Sequence, residues 1–296
     1  NVLHIYRTNQ AVLVAVRRYE LTDEQYERIE HLLPEVEGRG CLYNDHRKVI
    51  NGIFWVLRSG APWRDVPERY GNWKTVYVRF RRWAEDGTLE SIVRHLQGKL
   101  DAEGHIDWSQ LGAHSTIVQA ARAAAGGPND DKKGPEPGGE GIGPALGYSR
   151  GGFSTKIHLL TDRQGLPLGA VLSAGQRHES AFFTDLMNEV SVPRSRGRPR
   201  KRPEAVAGDR AYDADWIRQW CADRGIESAI PVRRNIREGP GRPPTCDDQR
   251  YRDRNTVERC VGHLKERRRL VVRYEKKASH YKAMVLWAFV EEYLNR

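Results

Sequence analysis

The chain has 296 residues and a formal net charge of +10, since 49 Lys and Arg outnumber 39 Asp and Glu. Hydrophobic residues make up 39% of the chain, which suffices for a sizeable core and excludes wholesale disorder. No apolar run reaches the roughly 18 residues of a membrane span, and the scattered cysteines include no CxxC pair. We therefore expect a cytoplasmic protein without disulfides, whose surplus of cations binds a polyanion such as nucleic acid.

Residues 1–18 show no clear period and are predicted to be an extension of the folded part. A capping box formed by Thr22 and Gln25 then predicts a first helix that continues to Pro34. The other helices predicted from apolar spacing cover residues 45–58, a segment capped by Asn72, and residues 89–96. Residues 19–100 are therefore predicted to form a small all-α domain.

The second and third of these helices resemble a helix-turn-helix, in which the later helix enters the major groove of DNA. Apolar residues on one side of the third helix, Val76, Phe80 and Trp83, are predicted to face inward. The cations of this helix, predicted to stay in solvent, are Lys74, Arg79, Arg81 and Arg82. The three arginines are candidates for DNA contact. The alternative is a plain helical bundle whose aromatic residues are only core.

After residue 104 the pattern changes to short apolar runs. Strands are predicted over residues 111–118, 153–160, 168–174, 205–208 and 227–232. Helices are predicted over residues 180–190, 213–224, 254–267 and 280–294. Residues 126–147, crowded with Gly, Pro and charge, are predicted to form a mobile loop. This order is that of the ribonuclease H-like fold, so residues 104–296 are predicted to form an α/β domain, a mixed sheet with helices on both faces.

Three blocks of cations lie in the carboxy-terminal half, over residues 194–202, 233–242 and 265–277. A solvated loop or helix face is the usual explanation of one such block, but three in one half favour phosphate binding. Within the first block, the segment around Arg196 and Arg198 reads Arg-Gly-Arg-Pro, which is similar to the core of an AT-hook. Such a segment lies in the minor groove of DNA.

Asp209 follows an apolar run at the carboxyl end of a predicted strand, where open α/β sheets place their active sites. An Asp at a strand end is also a common turn or N-cap residue. One side of a later predicted helix carries Tyr251, Arg254, Glu258 and Lys265. This stripe is either a set of ion pairs or a metal-binding carboxylate flanked by cations that contact DNA.

These residues and several longer segments resemble the bacterial insertion-sequence transposases of families 4 and 5, and family 5 in particular. The spacing Tyr-x2-Arg-x3-Glu-x6-Lys is similar to the signature helix of these enzymes. The other segments that carry the resemblance are LTDEQYERIEHLLP, GAPWRDVPERYGNWKTVYVRFRRW, YSRGGFSTKIHLLTD, GLPLGAVLSAGQRHES, GDRAYDAD and RNTVERCVGHLKERRRLVVRYEK. The resemblance implies a helical DNA-binding domain and a ribonuclease H-like catalytic domain in which three acids hold two Mg2+ ions.

By position, the resemblance implies that Asp209 and Glu258 are the second and third acids of this set. At the position of the first acid the chain carries His114. Gln119 and Ala121 also depart from the Arg and His that are usual in this segment. Because Mg2+ prefers carboxylate oxygen, an imidazole here is expected to weaken Mg2+ binding severely. Mn2+ or Zn2+ tolerates a nitrogen ligand better.

The resemblance implies a DNA transposase that binds the terminal inverted repeats of its element, with a homodimer favoured in the DNA complex. Two metal ions would assist nicking at the ends and attack of the freed 3'-hydroxyl on target DNA, while Arg254 and Lys265 contact phosphates. A catalytically silent relative that still binds DNA is the main alternative, because of His114. A nuclease acting on RNA or damaged DNA is a third interpretation, which leaves the helical domain unexplained.

Overall fold

The computed structural model describes residues 18–34, 45–126, 145–149, 151–232 and 247–296. The predicted extension up to residue 17, most of the predicted loop 126–147 and the arginines of the block 233–242 lie outside these described residues. The helices are α1 (Asp23–Glu27), α2 (His46–Ser59), α3 (Trp73–Glu85), α4 (Thr88–Ala102), α5 (Phe183–Glu189), α6 (Asp215–Ala222), α7 (Asp248–Asp253), α8 (Asn255–Lys265) and α9 (Ala278–Leu294). The strands are β1 (Leu111–Ala120), β2 (Gly147–Ser149), β3 (Gly152–Asp162), β4 (Pro167–Ala174), β5 (Ala205–Ala207), β6 (Glu227–Ala229) and β7 (Val272–Arg273).

The caps predicted for the amino-terminal helices are confirmed. Thr22 Oγ1 accepts from the Gln25 backbone N–H at 3.2 Å, and the Gln25 side chain accepts from the Thr22 N–H at 3.0 Å. Asn72 Oδ1 accepts from the N–H of Lys74 at 2.9 Å and starts α3. The continuous first helix up to Pro34 is wrong, because α1 ends at Glu27 and a separate 3-10 turn follows. Ile29, at the start of that turn, is still buried, so the apolar side of this segment faces the core without a long helix.

The sheet confirms the predicted strand order and the mixed α/β class. Its central strand β1 pairs antiparallel with β3, which in turn pairs antiparallel with β4. On its other side β1 pairs parallel with β5, and β5 pairs parallel with β6. The short strands β2 and β7 pair with β3 and β1 respectively, and sequence patterning predicted neither of them. The order β4-β3-β1-β5-β6 is that of a ribonuclease H-like sheet.

Helices cover both faces of this sheet. A Cβ atom added to Gly112 of β1 would lie 3.2 Å from Val257 Cβ, so α8 packs on the face to which Gly112 points. A Cβ atom added to Gly169 of β4 would lie 2.9 Å from Glu189 Cβ of α5. Through their pairing with β3, Gly112 of β1 and Gly169 of β4 point to opposite faces of the sheet. The helices α8 and α5, which lie against these two glycines, therefore cover opposite faces.

The last helix, α9, joins the amino-terminal helices to the sheet. It contacts α2, α3, α4 and β4, and its Trp287 ring meets Phe54 of α2 edge to face at 5.8 Å. Glu291 of α9 accepts from Arg58 Nε and Arg267 Nε, each at 2.7 Å. The helical region and the sheet therefore share one core. No helix in the described part of the chain combines the length and apolar character that a bilayer span requires.

Candidate active site

The pairing of β1 with β5 brings His114 and Asp209 to the same level of the sheet. Leu111 pairs with Val206 and Gly112 with Ala207 in parallel register. His114 lies two residues after Gly112 and Asp209 two residues after Ala207, and the Asp209 carboxylate acts on the charge of His114. Asp209 thus follows the carboxyl end of an interior strand, as its sequence position predicts.

Gly112 lets α8 approach close enough to bring Glu258 to His114. His114 lies two residues after Gly112, so its side chain projects from the same face of β1. That face is covered by α8 at Val257, the residue before Glu258. Because Gly112 has no side chain, Glu258 of α8 can face His114 of β1.

Four other predicted residues lie close enough to His114 to act on its charge. Burial lowers the pKa of His114, and the cations Arg254 and Lys265 act in the same direction. The carboxylates Asp209 and Glu258 act in the opposite direction without reversing the shift. The imidazole is therefore neutral at pH 7. Its Nδ1 atom is buried and has no hydrogen-bond partner.

Arg254 and Glu258 form an ion pair at this site. Arg254 Nη2 donates to Glu258 Oε1 at 2.8 Å, and the side chains are 13% and 44% exposed. The Nε and Nη1 atoms of Arg254 are buried without a partner, which leaves hydrogen-bond donors available beside the acid. A single helix through Tyr251 and Lys265 is wrong, because α7 ends before Arg254 and α8 begins after it. The backbone of Arg254 is still helical, so Arg254 and Glu258 remain one turn apart on one side.

Asp209 is held by the chain that follows it. Its Oδ1 accepts from the N–H of Ala211 at 2.8 Å and caps a 3-10 turn. Asp209 is thus the N-cap of this turn, which is the local interpretation of an Asp at a strand end, while its role as a site residue stays a prediction. Tyr212 is buried against the backbone beside Asp209, since a Cβ atom added to Gly208 would lie 3.0 Å from its ring. Burial raises the pKa of Tyr212, and the charges of Asp209 and Glu179 add to this effect.

A buried polar network on the opposite face of β1 escaped the sequence analysis. Lys156 Nζ of β3 donates to Glu179 Oε1 at 2.6 Å and to the carbonyl of Arg177 at 2.7 Å. Ser115, the residue after His114, donates from Oγ to the same carboxylate oxygen at 3.0 Å. The network therefore fixes β1 from behind the site. Strand alternation places Ser115 on that face, but the sequence carries no signal for its partner 64 residues later.

The arginines predicted for DNA contact in α3 differ in exposure. Arg79 is only 5% exposed, and its guanidinium contacts His46 Nδ1 at 2.8 Å and lies 5.8 Å from the Trp83 ring centre. Its predicted exposure to solvent is therefore wrong, and a phosphate contact is incompatible with this burial. Arg82 is exposed and Arg81 is half-buried over the Tyr77 ring.

Arg196 and Arg198 lie at the exposed tip of a loop away from Asp209. The loop is closed by reciprocal backbone hydrogen bonds between Val192 and Arg200, at 2.9 and 2.8 Å. It precedes β5, whereas Asp209 follows β5, so the two occupy opposite ends of that strand. The exposed cations of this loop are accessible to a polyanion.

The donors at the site do not fit a pair of Mg2+ ions. Position 114, where the resemblance places the first acid, carries an imidazole, and Glu258 is already paired with Arg254. Within the described ranges, no three His, Cys, Asp or Glu side chains are gathered closely enough to hold one ion. The orphaned Nδ1 of His114 is a ligand suited to softer ions than Mg2+.

Two protein families match this chain. Residues 105–290 match the family described as "Transposase DDE domain", and these residues contain the sheet, His114 and the four predicted residues near it. Residues 21–93 match the family described as "Putative transposase of IS4/5 family", which covers α1 to α3 and the first part of α4.

Three bacterial proteins are similar to parts of this chain, and two of them are named as transposases. A protein of Burkholderia cepacia named as a transposase for insertion sequence element IS402 is 34% identical over 132 residues, 44% of this chain and 58% of that protein. A Brucella ovis protein named as a transposase for element IS6501 is 28% identical over 135 residues, 45% of this chain and 92% of that protein. The Sinorhizobium fredii protein y4sN is 36% identical over 107 residues, 36% of this chain and 81% of that protein. The chain thus belongs to the DDE transposases of the IS4/5 type, enzymes that act on DNA.

Proposed function

We propose that this chain binds the terminal inverted repeats of an insertion sequence as a transposase whose strand cleavage is impaired by His114. The observation that carries the proposal is the half-buried imidazole of His114, which is close enough to Asp209 and Glu258 for both carboxylates to act on its charge. Divalent-metal dependence is general for the DDE domain, and a pair of Mg2+ ions would activate the attacking oxygen and stabilise the leaving one. With imidazole in place of the first acid, the chain supplies two carboxylates for a task that uses three.

The cations of the site support DNA binding independently of cleavage. Arg254 keeps two buried donor atoms without partners beside Glu258, and Lys265 is close enough to lower the pKa of His114. Both suit a phosphate oxygen arriving at the site. In this proposal Arg82 and Arg81 of α3 contact the repeat, while Arg196 and Arg198 contact DNA farther from the site. Joining two ends in one complex favours a homodimer.

The proposal is tested with a labelled terminal-repeat duplex incubated with the chain and with His114→Asp, in Mg2+ and in Mn2+. We expect both proteins to bind the repeat with similar affinity in the absence of metal, and His114→Asp alone to cleave it efficiently in Mg2+. Efficient cleavage by the unmodified chain in Mg2+ would contradict the impairment. Failure of both proteins to prefer the repeat over a scrambled duplex would contradict the binding.

A catalytically silent relative that still binds DNA is the same proposal with strand cleavage lost completely. It is favoured by the ion pair between Arg254 and Glu258, which keeps the remaining helical acid engaged with a cation. Absence of cleavage by the unmodified chain in Mn2+ as well as in Mg2+, with repeat binding retained, would select this form.

A further inference from the structure

Val78 is an exposed apolar residue in the middle of α3. Its side chain is 51% exposed, whereas Val76, Phe80 and Trp83 of the same helix are fully buried. One exposed valine is common on a protein surface and by itself indicates no ligand. The residues around Val78 indicate the kind of ligand that its exposed side chain contacts.

Cations flank Val78 on the exposed side of α3. Lys74 and Arg82 lie one turn before and one turn after it, about 6 Å away along the helix axis, and both are exposed. The first turn of α3 holds no acidic residue. The Arg64 guanidinium adds a positive charge 5.7 Å from the ring centre of Trp73, the first residue of the helix. Val78 therefore lies between two cations on an exposed helix face, an arrangement complementary to a DNA groove.

We propose that α3 lies in the major groove with Val78 against the C5-methyl group of a thymine. This inference depends on the proposed binding of terminal repeats and adds the residue that reads one base of them. The thymine methyl is an apolar group on the floor of the major groove, and small apolar side chains contact it there. Lys74 and Arg82 contact phosphates on either side, which positions the helix but carries no sequence information. Val78 thereby distinguishes thymine from cytosine at one position.

The test uses duplexes selected by the full-length chain from a random library, so that no repeat sequence has to be assumed. Each thymine of the selected duplex is replaced in turn by deoxyuridine, which removes the methyl group and leaves base pairing intact. Affinities are measured for the chain, for Val78→Ala, and for Val271→Ala as the matched control. Val271 is an exposed valine, at 44%, that lies outside α3.

We expect deoxyuridine at one or two positions to weaken binding of the unmodified chain about fourfold, the effect of one buried methyl group. Val78→Ala should bind the thymine duplex more weakly and lose the sensitivity, while Val271→Ala should retain it. If deoxyuridine is neutral everywhere, or if Val78→Ala keeps the sensitivity, the inference is overturned although DNA binding stands. If Val78→Ala instead abolishes self-association, Val78 belongs to a protein interface. If no duplex is selected, the proposed DNA recognition fails and the inference with it.

Discussion

Glu179→Gln removes the charge that balances a buried lysine behind the candidate site. Lys156 and Glu179 lie 2.6 Å apart with side chains 7% and 19% exposed. Breaking a buried pair on one side costs about 3–5 kcal/mol, because the remaining charge is left uncompensated. The Glu179 side chain remains partly exposed to solvent, and the carbonyl of Arg177 still accepts a hydrogen bond from Lys156 at 2.7 Å. Both facts reduce the expected loss of stability. We therefore expect a loss of about 2–4 kcal/mol, which is roughly 4–8 °C in Tm for a chain of this size.

The measurement is thermal and urea unfolding of the chain, of Glu179→Gln and of the double variant Lys156→Met/Glu179→Leu. The double variant removes both charges and should recover most of the lost stability, because no buried charge remains. A loss below about 0.5 kcal/mol in Glu179→Gln, the range of an ordinary surface substitution, would refute the reasoning. So would a double variant less stable than the single one.

The same pair predicts a pH dependence with a definite sign. Burial alone would raise the pKa of Glu179, but the hydrogen bond from Lys156 and the weaker contacts outweigh it, so the pKa lies below its ordinary value. A carboxyl with a lowered pKa stabilises the fold above its unfolded-state pKa, and this contribution is lost as pH falls below about 4.3. The stability difference between the chain and Glu179→Gln should therefore shrink in acid.

Four further substitutions have distinct expected outcomes. His114→Asp should be stabilised against thermal unfolding by Mg2+, by about 2.7 kcal/mol when the Mg2+ concentration is 100 times the Kd. The unmodified chain should gain little. Equal Tm shifts in the two proteins would contradict the assignment of position 114 to the first acid. Arg79→Ala should destabilise the fold by about 2 kcal/mol through loss of its contact with His46, measured by urea unfolding. Arg82→Ala should instead lower the slope of log affinity against log salt by about one, measured on a terminal-repeat duplex. Gly112→Val should cost about 1–3 kcal/mol and reduce DNA cleavage by His114→Asp, because the new side chain collides with Val257.

The sequence predicts the mixed α/β sheet from the order of its elements, and local patterns single out residues that the fold brings near His114. Asp209 is found from its place after an apolar strand, and Glu258 from its helical spacing to Arg254. The prediction for Arg79 is wrong because an arginine is expected in solvent, whereas its position, three residues after Val76 and one before Phe80, is on the inward side of α3. The partners of Ser115 depend on tertiary contacts, which have no local signal. The strands β2 and β7 have three and two residues, too few for a period to be visible.

Strand cleavage in Mg2+ tests the central claim, that His114 occupies the position of a missing carboxylate, most directly. The rate of product formation from a terminal-repeat duplex is compared between the chain and His114→Asp at saturating protein, so that binding does not limit the rate. We predict that His114→Asp is faster by at least roughly 100-fold, the scale on which metal sites respond to a lost ligand or its support. Equal rates for the two proteins in Mg2+ would contradict the claim.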